Sequence, residues 1–382
     1  MRLLWFVLLV GCGTVKNTSP DAPPGGDDDA PVEPACGDGI RSPGEICYKT
    51  PVTIVATFIA SDAQLADMDS DGDLDVVFLV NNQIHTSINA NGVFAASTIT
   101  GATAIGPHLL AADFDTDQKV DAATAGTSAA GGNAVAMFKG DGTAHQTAGG
   151  SATLGITAAG LGRGNVKGTG ELLVVFDNRT VSLWTIGAGL SLTEAGGASV
   201  PQLVSGAVGK IDSDTFDDVA VARGVGVTVY RGGATGLSQP ISTPVTLDAA
   251  AVAIGDVNGD GTADLAYTQV DPTATLLGLL PGAGAGAFFE PVTMALPGVG
   301  GALALGDIDG DLKQDIVVGT GTSTFQLDVL LGTATGFATP VPLPIAGGAD
   351  FLHTGDFNGD EQPDLVVTNT QSHVITVFES NP

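Results

Sequence analysis

A nine-residue acidic loop followed by a short apolar strand recurs along this chain, and this repeat constrains the fold more than any other feature. Complete copies carry side-chain oxygens at positions 1, 3, 5 and 9, and the copies follow one another about every 48 residues. That period is typical of a four-stranded propeller blade, since a solenoid turn is usually shorter. The repeat therefore predicts an all-β fold, a seven-bladed β-propeller of four-stranded antiparallel blades. The seven loops begin at Asp67, Asp113, Arg163, Lys210, Asp256, Asp307 and Asp356.

The two ends of the repeat region complement each other. Pro51-Val52 stands 16 residues before Asp67, the spacing at which a fourth strand precedes the next loop elsewhere in the chain. The last repeat stops after its third strand, at about Val374 to Phe378. We therefore expect the N-terminal strand to join the last blade, which closes the ring and leaves only short blade edges exposed.

The segment from Gly255 to Leu265 reads GDVNGDGTADL. It resembles FG-GAP or VCBS repeats, the blades of integrin α-chain-type propellers and of many bacterial surface proteins. The resemblance extends from about Pro51 to the C-terminus. It implies a noncatalytic binding or adhesion module for protein or glycan, with the partner on the rim opposite the acidic loops.

The acidic loops have the ligand chemistry of calcium, a hard cation that takes six to eight oxygens. An EF-hand is excluded because strands flank these loops and no Glu stands at position 12. We expect about five structural Ca²⁺ sites and no other cofactor. Their ligands are Asp67, Asp69, Asp71, Asp75, Asp113, Asp115, Asp117, Asp121, Asp256, Asn258, Asp260, Asp264, Asp307, Asp309, Asp311, Asp315, Asp356, Asn358, Asp360 and Asp364.

The loops differ in how closely they match a complete calcium-binding loop. Blades 1 and 5 have Gly72 and Gly261 at the sharp turn, whereas blades 2, 6 and 7 replace this glycine by Gln118, Leu312 and Glu361. Their oxygens suffice, although their backbone at this turn is less well specified. An alternative for all loops is a metal-free Asp/Asn turn, but carboxylates clustered this closely repel one another.

Cationic side chains enter the loops of two blades. Blade 4 has Lys210 at position 1, which predicts weak or no metal binding. Blade 3 carries Arg163 and Lys167 among its loop positions, with Glu171 at position 9. We expect the loop of blade 3 to hold no metal.

The net charge of −29, with only 13 Lys and Arg, disfavours nucleic acid or an anionic membrane surface as a partner. Arg179 and Arg223 are rare cations on the expected binding rim, and a solvated surface charge is the simpler interpretation. No histidine shows metal-ligand spacing or a nucleophile partner. The sequence therefore assigns no catalytic residue, and we expect a monomer.

The N-terminus has the pattern of an export signal. Met1 and Arg2 precede an apolar run to Val10, and Leu9-Val10-Gly11-Cys12 resembles a bacterial lipobox. We expect a lipoprotein signal peptide over 1–12, lipidation of Cys12 and anchoring in a bacterial outer membrane or at the cell surface. A plain signal peptide with an incidental cysteine is the alternative.

Residues 13–49 are expected to form a flexible acidic, Pro- and Gly-rich tether, and residues 50–382 the propeller. The tether contains Cys36 and Cys47 around a turn-rich segment. Disulfides persist in exported proteins, so we expect these two cysteines to pair, with two free thiols as the alternative.

Three functional hypotheses follow. The first is a noncatalytic surface lipoprotein that binds protein or glycan. The second is an extracellular hydrolase or lyase with its site in the propeller channel, since propellers of other families host such activities. The third is an envelope scaffold without a soluble ligand, which would lack a concave patch of exposed aromatics.

Overall fold

The computed structural model describes residues 36–37, 43–55, 60–128, 131–224, 226–243, 248–270, 274–358, 360, 362–369 and 374–381. The expected signal peptide, with Cys12, and most of the expected tether lie outside these residues. Helical structure in the described part is represented by the 3₁₀ turn Ala188–Leu190. Within the same part of the chain, no helix has the length and apolar character needed to cross a bilayer.

The strands form seven antiparallel four-stranded sheets, which confirms the predicted fold class. In each blade the first strand is innermost and runs into the acidic loop. The innermost strands are Ala60–Ala66, Pro107–Ala112, Ala158–Gly164, Leu203–Gly209, Ala249–Gly255, Leu303–Gly306 and Phe351–Gly355. The second strands are Asp75–Val80, Asp121–Thr127, Leu172–Asp177, Asp218–Arg223, Asp264–Val270, Asp315–Gly321 and Asp364–Asn369.

The outer half of each blade is a second antiparallel pair. The third strands are Gln83–Ser87, Asn133–Gly140, Thr180–Gly187, Gly226–Tyr230, Ala274–Leu280, Phe325–Leu330 and Val374–Phe378. The fourth strands of blades 1 to 6 are Thr98–Thr103, Gln146–Leu154, Ser191–Ser199, Ile241–Thr243, Val292–Pro297 and Val341–Ile345. Short hairpins join the outer strands of three blades: Asn89–Ala90 with Val93–Phe94, Gly282–Gly284 with Ala287–Phe288, and Gly332–Thr333 with Gly336–Phe337.

The composition of the strands follows their place in the ring. The second strands are apolar runs buried along their length, as in Leu172–Asp177, because neighbouring blades cover both faces. The innermost strands are rich in Gly and Ala because blades approach closely near the axis. A Cβ added at Gly206 would lie 2.2 Å from the Phe176 ring of the preceding blade. A larger side chain there would force the two blades apart.

Hydrophobic clusters between neighbouring blades hold the ring together, and one such cluster joins blade 7 to blade 1. Val76 and Phe78 of blade 1 pack there with Phe357, Ile375 and Val377 of blade 7. All five are buried. The last blade therefore contacts the first through the same kind of apolar interface that joins the others.

Val52–Val55 is the fourth strand of blade 7. It pairs antiparallel with the third strand, with Val52 opposite Val377 and Ile54 opposite Ile375. This pairing is consistent with the closure expected from the sequence. The blade that contains the C-terminus is thus completed by residues from the start of the propeller.

Residues 43–49, expected from the sequence to belong to the tether, lie against blades 6 and 7. The Lys49 N–H donates to the Glu379 carbonyl at 2.8 Å, and the Asn381 N–H donates to the Cys47 carbonyl at 3.0 Å. A disulfide joins Cys36 to Cys47. The Tyr48 ring packs edge-on against Phe378 with 6.1 Å between centroids. We call the described residues 36–37 and 43–49 the cysteine module; these contacts fix it to Phe378, Glu379 and Asn381.

We expect Ile54→Ala to lower the free energy of unfolding by about 2–5 kcal/mol, the usual cost of truncating a buried isoleucine. Ile54 is 9% exposed within the cluster that joins blades 7 and 1. Thr53→Ala on the same strand is the control, since Thr53 is exposed and its truncation should cost about 0.5 kcal/mol or less. Denaturant titration of both variants gives the comparison. Equal losses would contradict a stabilising role for this strand.

Candidate functional site

The acidic loops all lie on one side of the ring, because each connects the end of an innermost strand to the start of a second strand. We call this side the acidic rim. Position 9 is the first residue of the second strand in six blades, and Glu171 immediately precedes that strand in blade 3. The predicted ligands of each loop are thus held between two paired strands.

The aspartate at position 9 is buried and accepts at least two backbone hydrogen bonds. In blade 1 the Met68 N–H donates to Asp75 Oδ2 and the Asn89 N–H to Oδ1, both at 2.8 Å. The first bond fixes the start of the loop and the second fixes the chain beyond the third strand. We call these residues clamp aspartates: Asp75, Asp121, Asp218, Asp264, Asp315 and Asp364.

The clamp recurs with nearly constant geometry, since its twelve bonds measure 2.6–3.0 Å. The sequence analysis identified Asp75, Asp121, Asp264, Asp315 and Asp364 only as metal ligands, and it did not include Asp218 among them. Blade 4 has the same clamp at Asp218 although its loop carries Lys210. The clamp is therefore a structural device of the repeat. In blades 4, 5 and 6 its Oδ2 atom also accepts from the N–H of the position-3 residue, which is Asp212, Asn258 and Asp309 in turn.

Burial raises the pKa of the clamp aspartates above the usual value of a carboxyl group. Desolvation raises the pKa of Asp315 to about 7 and the pKa of Asp75 and Asp364 to about 6, although the backbone N–H bonds oppose this shift. A nearby cation would favour the charged form of each carboxyl.

The loop of blade 1 brings three carboxylates together. Oxygens of Asp67, Asp69 and Asp71 lie within 4.8 Å of one another. Asp69 Oδ1 is buried and has no hydrogen-bond partner among the described residues. Burial, followed by the charges of Asp71 and Asp67, raises the pKa of Asp69. Like charges this close repel by on the order of 4 kcal/mol near a protein surface, so the loop favours a bound cation.

The loop of blade 5 has the same shape with one amide. Asp256 accepts hydrogen bonds from the N–H groups of Gly259, Asp260 and Gly261, and Gly261 adopts a φ of 81°. The Asn258 side-chain oxygen accepts from the Asp260 N–H at 2.9 Å. Within the described residues, no Lys or Arg forms an ion pair with a predicted ligand of blade 1 or blade 5. These loops remain the strongest candidates for a metal.

The loops of blades 2 and 6 have the expected oxygens but also a lysine. In blade 2 the Lys139 ammonium contacts Asp115 and lies 2.8 Å from Asp117 Oδ2. In blade 6 the Lys313 ammonium contacts Asp311. Sequence reasoning missed both contacts. Gln118 and Leu312 take up the positive φ of the missing glycine, at 66° and 72°.

The loop of blade 6 is also covered from outside. The Gly44 N–H, from the cysteine module, donates to Asp309 Oδ2 at 2.6 Å. In blade 7, Asp356 accepts from the Asp360 N–H and Ser380 contacts the Asp360 carboxylate. Glu361 lies outside the described residues.

The loops of blades 3 and 4 resemble a metal-binding loop least. Arg163 Nε lies 2.8 Å from Glu171, and its Nη1 donates to the Asp113 carbonyl of blade 2. Lys167 Nζ donates to the Ala195 carbonyl. In blade 4, Lys210 pairs instead with Asp217, 3.4 Å away. The predictions of an empty loop in blade 3 and weak binding in blade 4 stay predictions.

The side of the ring opposite the acidic rim has an open cavity of about 600 Å³ at the mouth of the channel. We call this side the cavity face. The cavity lies where the innermost strands of blades 3 to 7 begin, so residues far apart in sequence form its wall. Its lining includes Val204, Ser205, Ala250, Val299, Gly300, Thr320, Phe325, Asp350, Phe351, His353 and Asn369. The sequence analysis expected a partner on this side of the ring but did not predict these lining residues, because no single repeat contains the site.

Arg223, one of the two cations expected on this side, is held in place by the fold. Arg223 donates to the Pro201 carbonyl and to Thr228 Oγ1, so its charge secures a turn. Trp184 is 8% exposed and donates to Ser182 Oγ, which fits packing within the blade.

Asp62 is a buried carboxyl that sequence reasoning missed. It lies in a bulge at the start of the innermost strand of blade 1 and accepts from the Leu109 N–H of blade 2 at 2.9 Å. Burial raises its pKa to about 8. Asp62 therefore joins two blades on the side of the ring away from the acidic loops.

Comparison with known families identifies the repeats. The model of FG-GAP-like repeats matches residues 67–124, 210–267 and 307–367. Each match begins at the first position of an acidic loop, those of blades 1, 4 and 6. No curated protein matches the chain.

Similar solved structures include BBS1N in complex with ARL6DN, soaked with lead. It is 12% identical, with a TM-score of 0.62, and the match covers 90% of this chain and 98% of that one. A lectin from Agrocybe aegerita, titled for specific recognition of non-reducing terminal N-acetylglucosamine, is 18% identical. Its TM-score is 0.53, and the match covers 83% of this chain and 87% of that one. At these identities the likeness shows the fold alone.

We expect Asp218→Ala to lower the free energy of unfolding by about 3 kcal/mol in the presence of a chelator. The change leaves the buried N–H groups of Ile211 and Gly232 without acceptors, each at about 1–3 kcal/mol. Asp214→Ala is the control, because Asp214 is an exposed residue of the same loop. Denaturant titration compares the two. A clamp that served only metal binding would give equal, small losses.

Proposed function

Because this chain is an FG-GAP repeat β-propeller, we propose that it is a calcium-stabilised surface lipoprotein that binds a protein or glycan without chemical change. The observation that carries the proposal is the open cavity of about 600 Å³ on the cavity face. The acidic rim supports the scaffold, and the cavity face binds the partner.

The cavity wall suits a ligand with both apolar and polar groups. Phe325 and Phe351 are half-buried and offer partly exposed rings to a ligand. Ser205 Oγ is buried and has no hydrogen-bond partner among the described residues. Small residues at Ala250 and Gly300 leave room beside these groups. Apolar surface with a few polar groups is the usual character of a binding pocket.

The ionisable lining residues support binding rather than acid–base chemistry. Among the described residues that line the cavity, these are Asp350 and His353. Burial lowers the pKa of His353 to about 4, so the ring is neutral at physiological pH, and its Nε2 lies 3.3 Å from Gln64 Nε2. A hydrolase or lyase needs convergent acid and base groups of matched pKa.

The similar structures indicate suitable ligand classes. BBS1N is a propeller seen in complex with a protein, ARL6DN. The Agrocybe aegerita lectin recognises non-reducing terminal N-acetylglucosamine. From these two structures we take only the ligand classes, protein and glycan, as candidates for this chain.

The described start of the chain supports an orientation on a membrane. Gly44 contacts the acidic loop of blade 6, and the Gly37 N–H donates to the Asn381 carbonyl. The cysteine module therefore lies on the acidic rim. A lipid at Cys12, joined through the flexible tether, would therefore attach the propeller on the side of the acidic rim and keep the attachment point away from the cavity face.

Calcium is proposed as the structural ion of the loops of blades 1 and 5. Asp67, Asp69, Asp71 and Asp75 hold it in blade 1, where the unpartnered Asp69 oxygen faces two further carboxylates. The equivalent ligands of blade 5 are Asp256, Asn258, Asp260 and Asp264. When bound, the ion neutralises the clustered charge and fixes the loop between its two strands.

We expect Ala250→Trp to weaken binding to any ligand found on a glycan and surface-protein array by about tenfold or more, because the indole fills the cavity. Ser213→Trp on the acidic rim adds the same side chain at an exposed site and should leave binding unchanged. Equal effects of the two variants would contradict binding in the cavity. Time-dependent conversion of the array ligand would favour the catalytic alternative.

We expect calcium removal to lower the melting temperature. A site held at a calcium concentration 100 times its Kd contributes about 2.7 kcal/mol to the free energy of unfolding. Differential scanning calorimetry in calcium, in magnesium and in excess chelator measures the effect, and magnesium should restore little because it demands octahedral geometry. An unchanged melt in chelator would refute the calcium role.

A further inference from the structure

The acidic loops differ in whether the chain supplies its own cation. One repeat position decides this in blades 2 and 4. It is the residue at the end of the third strand, or directly after it, that lies opposite position 9 of the second strand. Register places Lys139 there in blade 2, since Ala122 pairs with Phe138, and Arg231 in blade 4, since Val219 pairs with Tyr230.

Both side chains reach the carboxylate at position 3 of their loop. The Lys139 ammonium contacts Asp115 and lies 2.8 Å from Asp117 Oδ2. Arg231 Nη1 lies 3.7 Å from Asp212 Oδ2. One position of the repeat therefore delivers a cation to the same place in two blades.

The corresponding residues in blades 1 and 5 are uncharged. Ile88 faces Asp75, next to the pair of Val76 with Ser87, and Pro281 faces Asp264. In blade 1, neither oxygen of the position-3 residue Asp69 forms an ion pair with a described Lys or Arg, and Asp69 Oδ1 is buried without a described partner. In blade 2, Asp115 Oδ1 is likewise buried without a described partner, but Asp115 Oδ2 contacts Lys139.

Blade 6 obtains its cation from within the loop. Lys313, at position 7, contacts Asp311. The Gly44 N–H adds a further positive dipole at Asp309. One ammonium and one backbone dipole, from different parts of the chain, thus offset part of the negative charge of this loop.

We propose that Lys139 and Lys313 are built-in counter-ions that replace calcium in the loops of blades 2 and 6. Arg231 is the counterpart of Lys139 in blade 4, whose loop also carries Lys210 at position 1. A tethered ammonium binds intramolecularly, so a free cation must compete with its high effective concentration. It neutralises the carboxylates without filling a coordination sphere of six to eight oxygens. The inference rests on the calcium role proposed above for blades 1 and 5.

Calcium titration of the full chain by isothermal calorimetry tests the inference, after treatment with chelator. Lys139→Met and Lys313→Met should each raise the stoichiometry by one, since methionine keeps the length of the side chain and loses its charge. Adding Asp115→Asn to Lys139→Met should remove the new site. Arg179→Met, which loses one positive charge on the cavity face, is the control and should change nothing.

The reciprocal change should abolish a site. Ile88→Lys gives blade 1 the lysine that blade 2 has at this position, Lys139. We expect the calcium stoichiometry to fall by one. Because Ile88 is partly buried, circular dichroism checks folding, and Pro281→Lys performs the same test in blade 5.

The outcomes separate the two proposals. A wild-type chain that binds no calcium overturns the calcium role itself. A wild-type chain that binds calcium in blades 2 and 6, with a stoichiometry unchanged by Lys139→Met and Lys313→Met, overturns the counter-ion inference alone.

Discussion

In six blades, two backbone N–H groups donate to one buried aspartate, and this propeller depends on that pair of hydrogen bonds. Each clamp aspartate ties the start of an acidic loop to the end of a third strand, as Asp264 does with Val257 and Gly282. Without it, two buried donors would lack acceptors at about 1–3 kcal/mol each. The clamp shapes the loop, and the shaped loop then gathers the carboxylates that need a cation.

Much of the scaffold follows from the sequence alone because it is periodic. The spacing of the loops predicts the blades, and the strand at Pro51-Val52 predicts the pairing seen for Val52–Val55. The clamp was not predictable from a local pattern. Its second donor lies 14 residues after Asp75 in blade 1 but 19 residues after Asp121 in blade 2, since the outer hairpins vary in length.

For the same reason, the counter-ions and the cavity could not be predicted from a local sequence pattern. Lys139 lies 22 residues from Asp117, and only strand register brings it to the loop. The cavity combines Ser205, Ala250 and Phe351 from three blades, so its shape depends on the closed ring. The two sides of the propeller thereby separate their roles: charge and cations organise the acidic rim, while small and aromatic residues shape the cavity face.

Native-state hydrogen exchange in the presence of a chelator tests the clamp most directly. We predict that the clamped amides of Asn89, Gly140, Gly232 and Gly282 exchange only on global unfolding, because each donates to a buried carboxylate that acts without metal. The amide of Asp214, which donates to Asp212 Oδ1 at 3.0 Å in the exposed part of its loop, serves as the reference for a loop amide outside the clamp. Clamped amides that exchange as fast as Asp214 would contradict the central role of these aspartates.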